Sequence, residues 1–333
     1  MMKKMCYVMG IDGGGTKTQV VLADLYGNVI TDRVYGSTNP NTMTEKELSD
    51  TFRIMFEDIH RDFIGIENIK CIFAGISGAG SQASKQLIKK IIRGHIHSPT
   101  KLQIEADTVN ALYSGTLGKP GIVQIAGTGS ITFGINEKLQ QDRVGGWGYL
   151  LGDEGSGFDI GQQGIKGALR CEDGRGQRTI LMDYIYAHFQ VKSGRELIDK
   201  IYHSSSPKHL ISHVSKLVFQ AAIENDAVAN RILQRTTKEL AHSIQSLSDK
   251  LFPEEELIQV ILCGGIFTNQ SLMLQLLEAE FKHRKQRVNL IIPKIPPAAG
   301  AIIGAYLTED MKEITPNIIE NLLAHWKKRH REA

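Results

Sequence analysis

Two segments of this chain follow the same local pattern, and this repetition constrains the fold more than any other feature. Each segment has an apolar strand, a tight glycine turn that contains a hydroxyl residue, and a second apolar strand. A turn this short joins neighbouring antiparallel strands. The sequence therefore predicts two related halves that each contain a β-hairpin. The two turns lie in Asp12-Gly13-Gly14-Gly15-Thr16 and in Ala126-Gly127-Thr128-Gly129-Ser130.

Strand and helix patterns alternate around both turns. The first half reads as three strands, a helix, a strand, a helix, a strand and a helix. Thr44 and Glu47 form a capping box at the start of its first helix. The second half restarts with strands at 121–126 and 130–135, is mostly helical over 155–252, and returns to strands at 257–263 and 288–292. Two further helices are predicted at about 270–283 and 298–307.

This alternation predicts an α/β fold with two duplicated lobes and a central cleft. We assign residues 1–119 to an N-terminal lobe and residues 120–311 to a C-terminal lobe with a helical insertion. We expect a C-terminal helix at 312–330 to pack back on the N-terminal lobe.

Composition excludes several classes of protein. Apolar residues make up 41% of the chain and charged residues 23%, as in soluble globular proteins. A formal net charge of +3 is too small to indicate binding to nucleic acid. No apolar run is long enough to span a membrane, and the N-terminus lacks the pattern of a signal peptide. The 4 cysteines are far apart in the sequence and form no CxxC pair. We therefore expect a cytoplasmic protein without disulfides, zinc, nucleic acid or membrane partners.

The two glycine turns are candidate phosphate-binding sites. Successive glycines leave backbone N–H groups unshielded, and neighbouring hydroxyl groups add donors. Asp12, at the end of the first strand, is placed to hold Mg²⁺ near the β- and γ-phosphates of a nucleotide. An ordinary tight turn is the alternative for each segment. The candidates for nucleotide contact are Gly13, Gly14, Gly15, Thr16, Lys17, Thr18, Gly127, Thr128 and Gly129.

The first turn differs from two familiar nucleotide-binding motifs. It is not a P-loop, because Thr16 separates Gly15 from Lys17 and a strand follows where a P-loop requires a helix. No GxGxxG follows the first strand, which makes NAD binding a poor interpretation. A third glycine pair, Gly264-Gly265, ends a predicted strand and could let an adenosine lie against bare backbone; an ordinary strand-to-helix turn is the alternative.

Asp107 is the candidate catalytic base. Asp107 lies at the carboxyl end of a predicted strand. In open α/β sheets, ligands bind at the carboxyl ends of the strands. A carboxylate there can accept the proton of an attacking hydroxyl group during phosphoryl transfer. A helix N-cap at Asp107 is the alternative, and the two roles are compatible.

The segment GGWGYLLGDEGSG at 145–157 is the densest cluster of unusual residues. Sugars are commonly held by an aromatic or glycine-lined face together with acidic acceptors, so Trp147 and Asp153 suit a hydroxylated substrate. A surface loop with a packed tryptophan is the alternative. Asn39 and Ser77 follow other predicted strands and could add amide or hydroxyl contacts.

Taken in order, seven motifs resemble the N-acetylglucosamine kinase branch of the BadF/BadG/BcrA/BcrD ATPases, within the actin-like ATPase superfamily. They are GIDGGGTKT, GSTN, GISGAG, EADTVNA, IAGTGS, GGWGYLLGDEGSG and CGGI. The resemblance implies two duplicated ribonuclease-H-like lobes, ATP with Mg²⁺, an amino-sugar acceptor and a homodimer. It implies Asp107 as the base and Asp12 as the metal-associated aspartate. It also implies nucleotide contacts at Thr16, Thr128 and Gly265, and sugar contacts at Asn39, Ser77, Gly146, Trp147 and Asp153.

The predicted reaction is phosphorylation of an amino sugar such as N-acetylglucosamine at the 6-hydroxyl, with N-acetylmuramic acid and glucosamine as other acceptors. The related ROK sugar kinases carry a cysteine-rich zinc motif that this chain lacks. The alternative function is an ATPase that regulates a partner enzyme, as do the activators of 2-hydroxyacyl-CoA dehydratases. That alternative predicts ATP hydrolysis without a sugar.

Overall fold

The computed structural model describes residues 6–63, 66–96, 99–255, 257–268, 271–282, 287–309, 311 and 313–332. The chain divides into two compact units. The first unit combines Met1–Lys119 with Pro293–Ala333, and the second consists of Pro120–Ile292.

The first segment of the chain contains β1 (Tyr7–Gly13), β2 (Thr18–Asp24), β3 (Val29–Tyr35), α1 (Glu45–Asp62), β4 (Ile69–Ile76), α2 (Gln82–Arg93), β5 (Lys101–Glu105) and α3 (Asp107–Thr116). The second unit contains β6 (Gly121–Ala126), β7 (Ser130–Ile135), β8 (Gln141–Gly145), α4 (Gly157–Glu172), α5 (Leu181–Phe189), α6 (Gly194–Tyr202), α7 (Pro207–Ile223), α8 (Ala227–Leu251), β9 (Leu257–Cys263), α9 (Gly265–Thr268), α10 (Ser271–Phe281) and β10 (Arg287–Ile291). The chain returns to the first unit with α11 (Pro297–Thr308) and α12 (Pro316–Glu332).

The first unit is built on a five-stranded mixed sheet with the order β3-β2-β1-β4-β5. β1, β2 and β3 are antiparallel, whereas β4 and β5 run parallel to β1. Alternate residues of β1 point to opposite faces, because the side-chain period of a strand is two. Met9 and Ile11 lie in one core with apolar residues of α1 and α2. Gly10 faces α11, where a Cβ would lie 2.7 Å from the backbone nitrogen of Ile302.

The second unit repeats this sheet with the order β10-β9-β6-β7-β8. β6, β7 and β8 are antiparallel, and β9 and β10 run parallel to β6. The two sheets therefore have the same order and the same strand directions, which confirms the predicted duplication. Helices α4–α8 fill the stretch that the sequence marks as helical. β8 is a third hairpin strand that the sequence analysis did not predict.

The observed units and the predicted lobes differ at residues 293–311. The sequence analysis assigned these residues to the C-terminal lobe. The structure places this stretch in the first unit, because α11 packs closely on β1 and α3. At Gly300 a Cβ would overlap the backbone oxygen of Asn110 in α3. Only a glycine lets the two helix backbones come this close.

The C-terminal helix α12 also belongs to the first unit. The Asn321 side chain donates to the backbone oxygen of Tyr26 at 2.9 Å. His325 and Arg329 both hydrogen bond to the buried carboxylate of Asp32 on β3. The apolar side of α12, including Leu322 and Trp326, is buried. The start of the helix at Pro316 lies a few residues after the predicted one.

Within the described residues, no helix has both the length and the apolar character needed to cross a membrane. None of the four cysteines, all of which lie in the described residues, forms a disulfide, and Cys71 and Cys263 are buried in strands.

Candidate active site

The first glycine turn closes the β1–β2 hairpin and leaves its tip exposed. The N–H of Gly14 donates to the backbone oxygen of Lys17 at 2.9 Å. A Cβ at Gly13 would overlap the Thr38 hydroxyl group, which itself hydrogen bonds to the Thr18 hydroxyl at 2.9 Å. Gly15, Thr16 and Lys17 are exposed. The base of the hairpin is thus held by packing, while its tip is accessible to solvent.

Two other predicted site residues lie against this hairpin. The backbone N–H of Ser77 donates to the backbone oxygen of Gly13 at 2.6 Å. A Cβ at Gly15 would lie 3.7 Å from the side-chain nitrogen of Asn39. The side-chain oxygen Oδ1 of Asn39 accepts a hydrogen bond from the backbone N–H of Asn41 at 2.9 Å, which fixes the orientation of the Asn39 side chain. The ends of β1 and β4 and the loop after β3 therefore meet at one place.

Asp107 is the first helical residue of α3, and it is partly buried at the end of β5. The N-cap is Ala106, which has no capping side chain, so the alternative that Asp107 is the N-cap is wrong. Burial raises the pKa of Asp107 above its ordinary value. Hydrogen bonds from the Ser77 hydroxyl and from the N–H of Thr108 oppose that rise.

Asp12 shares this environment with Asp107. Burial raises the pKa of Asp12 to about 6, and repulsion from the Asp107 carboxylate adds to the rise. A hydrogen bond from Asn110 and the positive charge of Lys17 act in the opposite direction. A bound cation would stabilise the ionised form of Asp12, which burial and the neighbouring Asp107 carboxylate destabilise.

Asn110 connects these groups, although the sequence analysis gave it no role. Its side-chain nitrogen lies 2.8 Å from Oδ1 of Asp12, 3.2 Å from the backbone oxygen of Ile11 and 3.1 Å from that of Gly75. It lies one helical turn after Asp107, so both side chains project from the same face of α3. That spacing in the motif EADTVNA was the signal that could have identified it.

In the second unit, the turn between β6 and β7 contacts the loop that leads into α4. The N–H of Gly157 donates to the backbone oxygen of Gly127 at 2.7 Å. A Cβ at Gly129 would lie 2.9 Å from Oδ2 of Asp153, which is buried. Asp153 has a φ of 60°, a left-handed conformation that non-glycine residues seldom adopt and that often marks functional positions.

The glycine pair after β9 reaches the same turn. Gly264 has a φ of 104°, and a Cβ there would overlap the backbone oxygen of Ala126 and lie 3.0 Å from the nitrogen of Gly127. Gly265 begins the short helix α9 and is exposed, with nothing within 4 Å of a Cβ position. Gly264 thus forms the strand-to-helix turn, and Gly265 provides an open backbone surface.

Trp147, a predicted sugar-binding residue, is largely exposed. Its side chain is 66% exposed, and the guanidinium group of Arg143 lies 4.3 Å from the centre of its ring. Arg143 also donates to the backbone oxygens of Gly145 and Gly146 at 3.0 Å. A Cβ at Gly146 would lie 2.7 Å from Ile131. Arg143 therefore covers one face of the Trp147 ring.

Lys208 is a second residue that the sequence analysis missed. Its ammonium group lies 3.9 Å from Oδ2 of Asp153 and 5.1 Å from the centre of the Tyr149 ring. It belongs to α7, far along the chain from both partners, so no local pattern could have identified it.

The chemistry of the first unit fits a magnesium–nucleotide complex. Mg²⁺ is usually held in proteins by one or two carboxylates together with substrate phosphates, and it keeps several waters. Asp12 and Asp107 supply two carboxylates beside a hairpin tip with exposed backbone. No group of three or more His, Cys, Asp or Glu side chains that could form an all-protein metal site occurs in the part of the chain that is described.

Fold and site together define the class: an α/β protein of two duplicated ribonuclease-H-like lobes, with the organisation of the actin-like ATPases. A structural-genomics target from Chromobacterium violaceum, assigned as an N-acetylglucosamine kinase, has the same fold. It superimposes with a TM-score of 0.69 at 22% identity, over 90% of this chain and 99% of that one.

Residues 9–308 match the BadF/BadG/BcrA/BcrD ATPase family, and the chain belongs to that family. It is 33% identical to the N-acetylmuramic acid/N-acetylglucosamine kinase of Clostridium acetobutylicum, over 90% of this chain and 98% of that protein. It is 28% identical to the N-acetyl-D-glucosamine kinase of Dictyostelium discoideum, over 89% of this chain and 97% of that protein.

Proposed function

We propose that this protein transfers the γ-phosphate of ATP to a hydroxyl group of an amino sugar. The observation that carries the proposal is the Asp107 carboxyl group, held beside Ser77 and Asp12 at the end of the first glycine hairpin. Two relatives that are 33% and 28% identical to this chain are kinases named for N-acetylglucosamine, which supports an amino sugar as the acceptor. N-acetylglucosamine phosphorylated at its 6-hydroxyl is the leading acceptor, and N-acetylmuramic acid and glucosamine are the others.

Asp107 acts as the general base in this proposal. Its pKa is raised, so the carboxylate is a stronger base than an ordinary aspartate. The Ser77 hydroxyl orients the carboxylate by donating to it. Asp107 accepts the proton of the sugar hydroxyl as that oxygen attacks the γ-phosphorus. Positioning and electrostatic stabilisation supply most of the rate enhancement in phosphoryl transfer.

The remaining roles are distributed over both units. The hairpin residues Gly13–Gly15 and Thr16–Thr18, the turn residues Gly127–Gly129, and Gly264 and Gly265 bind the nucleotide. Asn39, Ser77, Gly146, Trp147 and Asp153 bind the sugar. Asp12 holds Mg²⁺, which when bound would neutralise charge on the phosphate oxygens.

Release of ADP in the presence and absence of sugars tests this proposal. N-acetylglucosamine, N-acetylmuramic acid, glucosamine and glucose are offered in turn, with ATP and Mg²⁺. We expect ADP release to depend on an amino sugar, and Asp107→Asn to lower kcat by about 10²- to 10⁴-fold. Asp183→Asn is the matched control, because Asp183 is an exposed aspartate in the first turn of α5.

Equal ADP release with and without every sugar would contradict the kinase proposal and favour the ATPase regulator. If Asp107→Asn kept full sugar-dependent activity, Asp107 would not be the base, but the proposed reaction would still stand. The homodimer and the cytoplasmic location belong to the same proposal. Sedimentation velocity checks the first, and a single species with the monomer mass would contradict it.

A further inference from the structure

A concave groove in the second unit is lined by four cationic side chains and no acidic one. It has a volume of about 710 Å³, within the range of small-molecule sites. Lys166 and Arg170 come from α4, and Arg231 and Arg235 come from α8. We call this the basic groove. It contains none of the residues that the proposed kinase reaction uses.

The spacing of the four cations concentrates their charge. Lys166 and Arg170 are four residues apart on α4, as are Arg231 and Arg235 on α8, so each pair projects from one helix face. Like charges at this spacing destabilise a helix. The two pairs also face a common space, which adds repulsion between the helices. The arrangement therefore has an electrostatic cost that a bound anion would remove.

None of the four cations forms an ion pair with an acidic side chain among the residues described. The Lys166 ammonium group donates to the side-chain oxygen of Gln162 at 2.9 Å, a neutral partner. Elsewhere in the second unit, Lys250 pairs with Asp142 at 3.3 Å. Among the described residues, the cations of the basic groove thus have no acidic side chain within ion-pair distance.

The shape of the basic groove comes from close packing of its two helices. A Cβ at Gly167 would lie 2.9 Å from Val228, so α4 and α8 nearly touch at the bottom of the groove. Gln163 and Gln177 add neutral amide groups to the lining. Guanidinium groups bind phosphate oxygens with two parallel hydrogen bonds, and amide groups can complete such a site.

We propose that the basic groove binds a small multivalent anion that carries phosphate groups. The enclosed volume favours a small molecule, and the arginines favour phosphate. The inference does not depend on the kinase activity. A phosphate group of this kind could come from an inorganic polyphosphate or from a phosphorylated sugar, and the test separates these two sources.

The test measures binding of pyrophosphate and of glucosamine 6-phosphate to the full chain by calorimetry. Hydrogen exchange measured by mass spectrometry locates the bound anion. We expect protection in peptides that cover 162–177 and 228–236. The groove variant combines Arg231→Gln with Arg235→Gln, and we expect its affinity at this site to fall at least about tenfold. Raising the salt concentration should weaken binding to the native chain.

The control variant combines Arg195→Gln with Lys216→Gln, which removes the same charge from exposed positions of α6 and α7. We expect it to bind like the native chain. In the absence of anion, the melting temperatures of the control variant and the groove variant should both match that of the native chain within a few degrees. If the groove variant does not fold, Lys166→Gln with Arg170→Gln replaces it.

Binding of either anion at the two groove peptides supports the proposal and identifies its source. Protection confined to peptides that cover 10–18 and 126–131 would overturn it, because the anion would then occupy only the hairpins. Equal affinity in the native chain and the groove variant would overturn it as well. So would binding of nucleic acid without binding of either small anion.

Discussion

A single side chain, Asn110, organises the carboxyl groups of the first unit. Its amide nitrogen contacts the ends of β1 and β4 as well as Asp12, so it fixes the distance between α3 and the sheet. Its carbonyl oxygen is buried and accepts no hydrogen bond within the described structure. A buried acceptor without a donor is costly in a folded protein. The three contacts of the side-chain nitrogen offset this cost.

Ser77→Ala should move the pH dependence of the reaction. The Ser77 hydroxyl opposes the rise in the pKa of Asp107, so removing it raises that pKa further. A base works when deprotonated, and the acidic limb of kcat/KM against pH should therefore shift upwards. The size of this upward shift reports how strongly the Ser77 hydroxyl stabilises the ionised form of Asp107.

Ser205→Ala is the control for that experiment, because Ser205 is exposed and lies before α7. An increase in KM without a shift of the acidic limb would mean that Ser77 contacts only the sugar.

Asp12→Asn should stabilise the protein at neutral pH in the absence of Mg²⁺ and nucleotide. The pKa of Asp12 is about 6 in the folded chain against an ordinary value of 3.8, so the folded state binds the extra proton between these values. Ionised Asp12 therefore destabilises the fold above about pH 6, and this effect fades as the pH falls towards 4.

We expect the variant to gain about 3 kcal/mol in the free energy of unfolding at pH 8, and little below pH 4. Chemical denaturation at several pH values measures this difference. A stability difference that does not change with pH would contradict the explanation.

At the scale of elements, the strands and helices that carry the two turns could be predicted because their apolar periodicity is strong. β9 has the predicted bounds of 257–263, and the capping box at Thr44 is present. β8 was missed because its residues include Gln141, Asp142 and Arg143, and it pairs only with β7. Such an edge strand depends on its partner more than on its own composition.

Gly300→Ala should destabilise the first unit, because the new methyl group would overlap the backbone of α3 at Asn110. Two helix backbones must then separate, and overpacking of this kind costs about 1–3 kcal/mol or more. The movement would also displace Asn110, so kcat should fall with stability.

Gly80→Ala is the matched control, since nothing lies within 4 Å of a Cβ there. Thermal unfolding and sugar-dependent ADP release measure both variants. A normal melting temperature for Gly300→Ala would contradict the packing argument.

At the scale of the whole molecule, the duplication was predictable, whereas the composition of each site was not. The repeated turns implied two similar sheets, and the sheets have the same order. The proximity of Lys208 to Asp153 depends on tertiary packing between distant segments that no motif encodes. The predicted assignment of 293–311 differs from the observed units for a similar reason, because α11 follows the second sheet in sequence but packs on the first.

Asp32→Ala should lower the free energy of unfolding of the whole chain by about 3 kcal/mol. The buried carboxylate of Asp32 holds His325 and Arg329 of α12, and it also accepts from Gln19 at 2.8 Å. Asp50→Ala is the control, because the Asp50 ion pair with Arg53 is exposed and contributes little. Equal stability of the two variants in urea denaturation would contradict the role of α12.

The return of α11 and α12 to the first unit has a consequence for synthesis on the ribosome. The second unit is one continuous stretch, so all of its strands are available once residue 292 has left the exit tunnel. The sheet at the start of the chain must wait for its cover, because Ala301 and Ile302 of α11 pack on it at Gly10. The part of this protein that is made first is thus completed last, and until then it exposes apolar surface that a chaperone could bind.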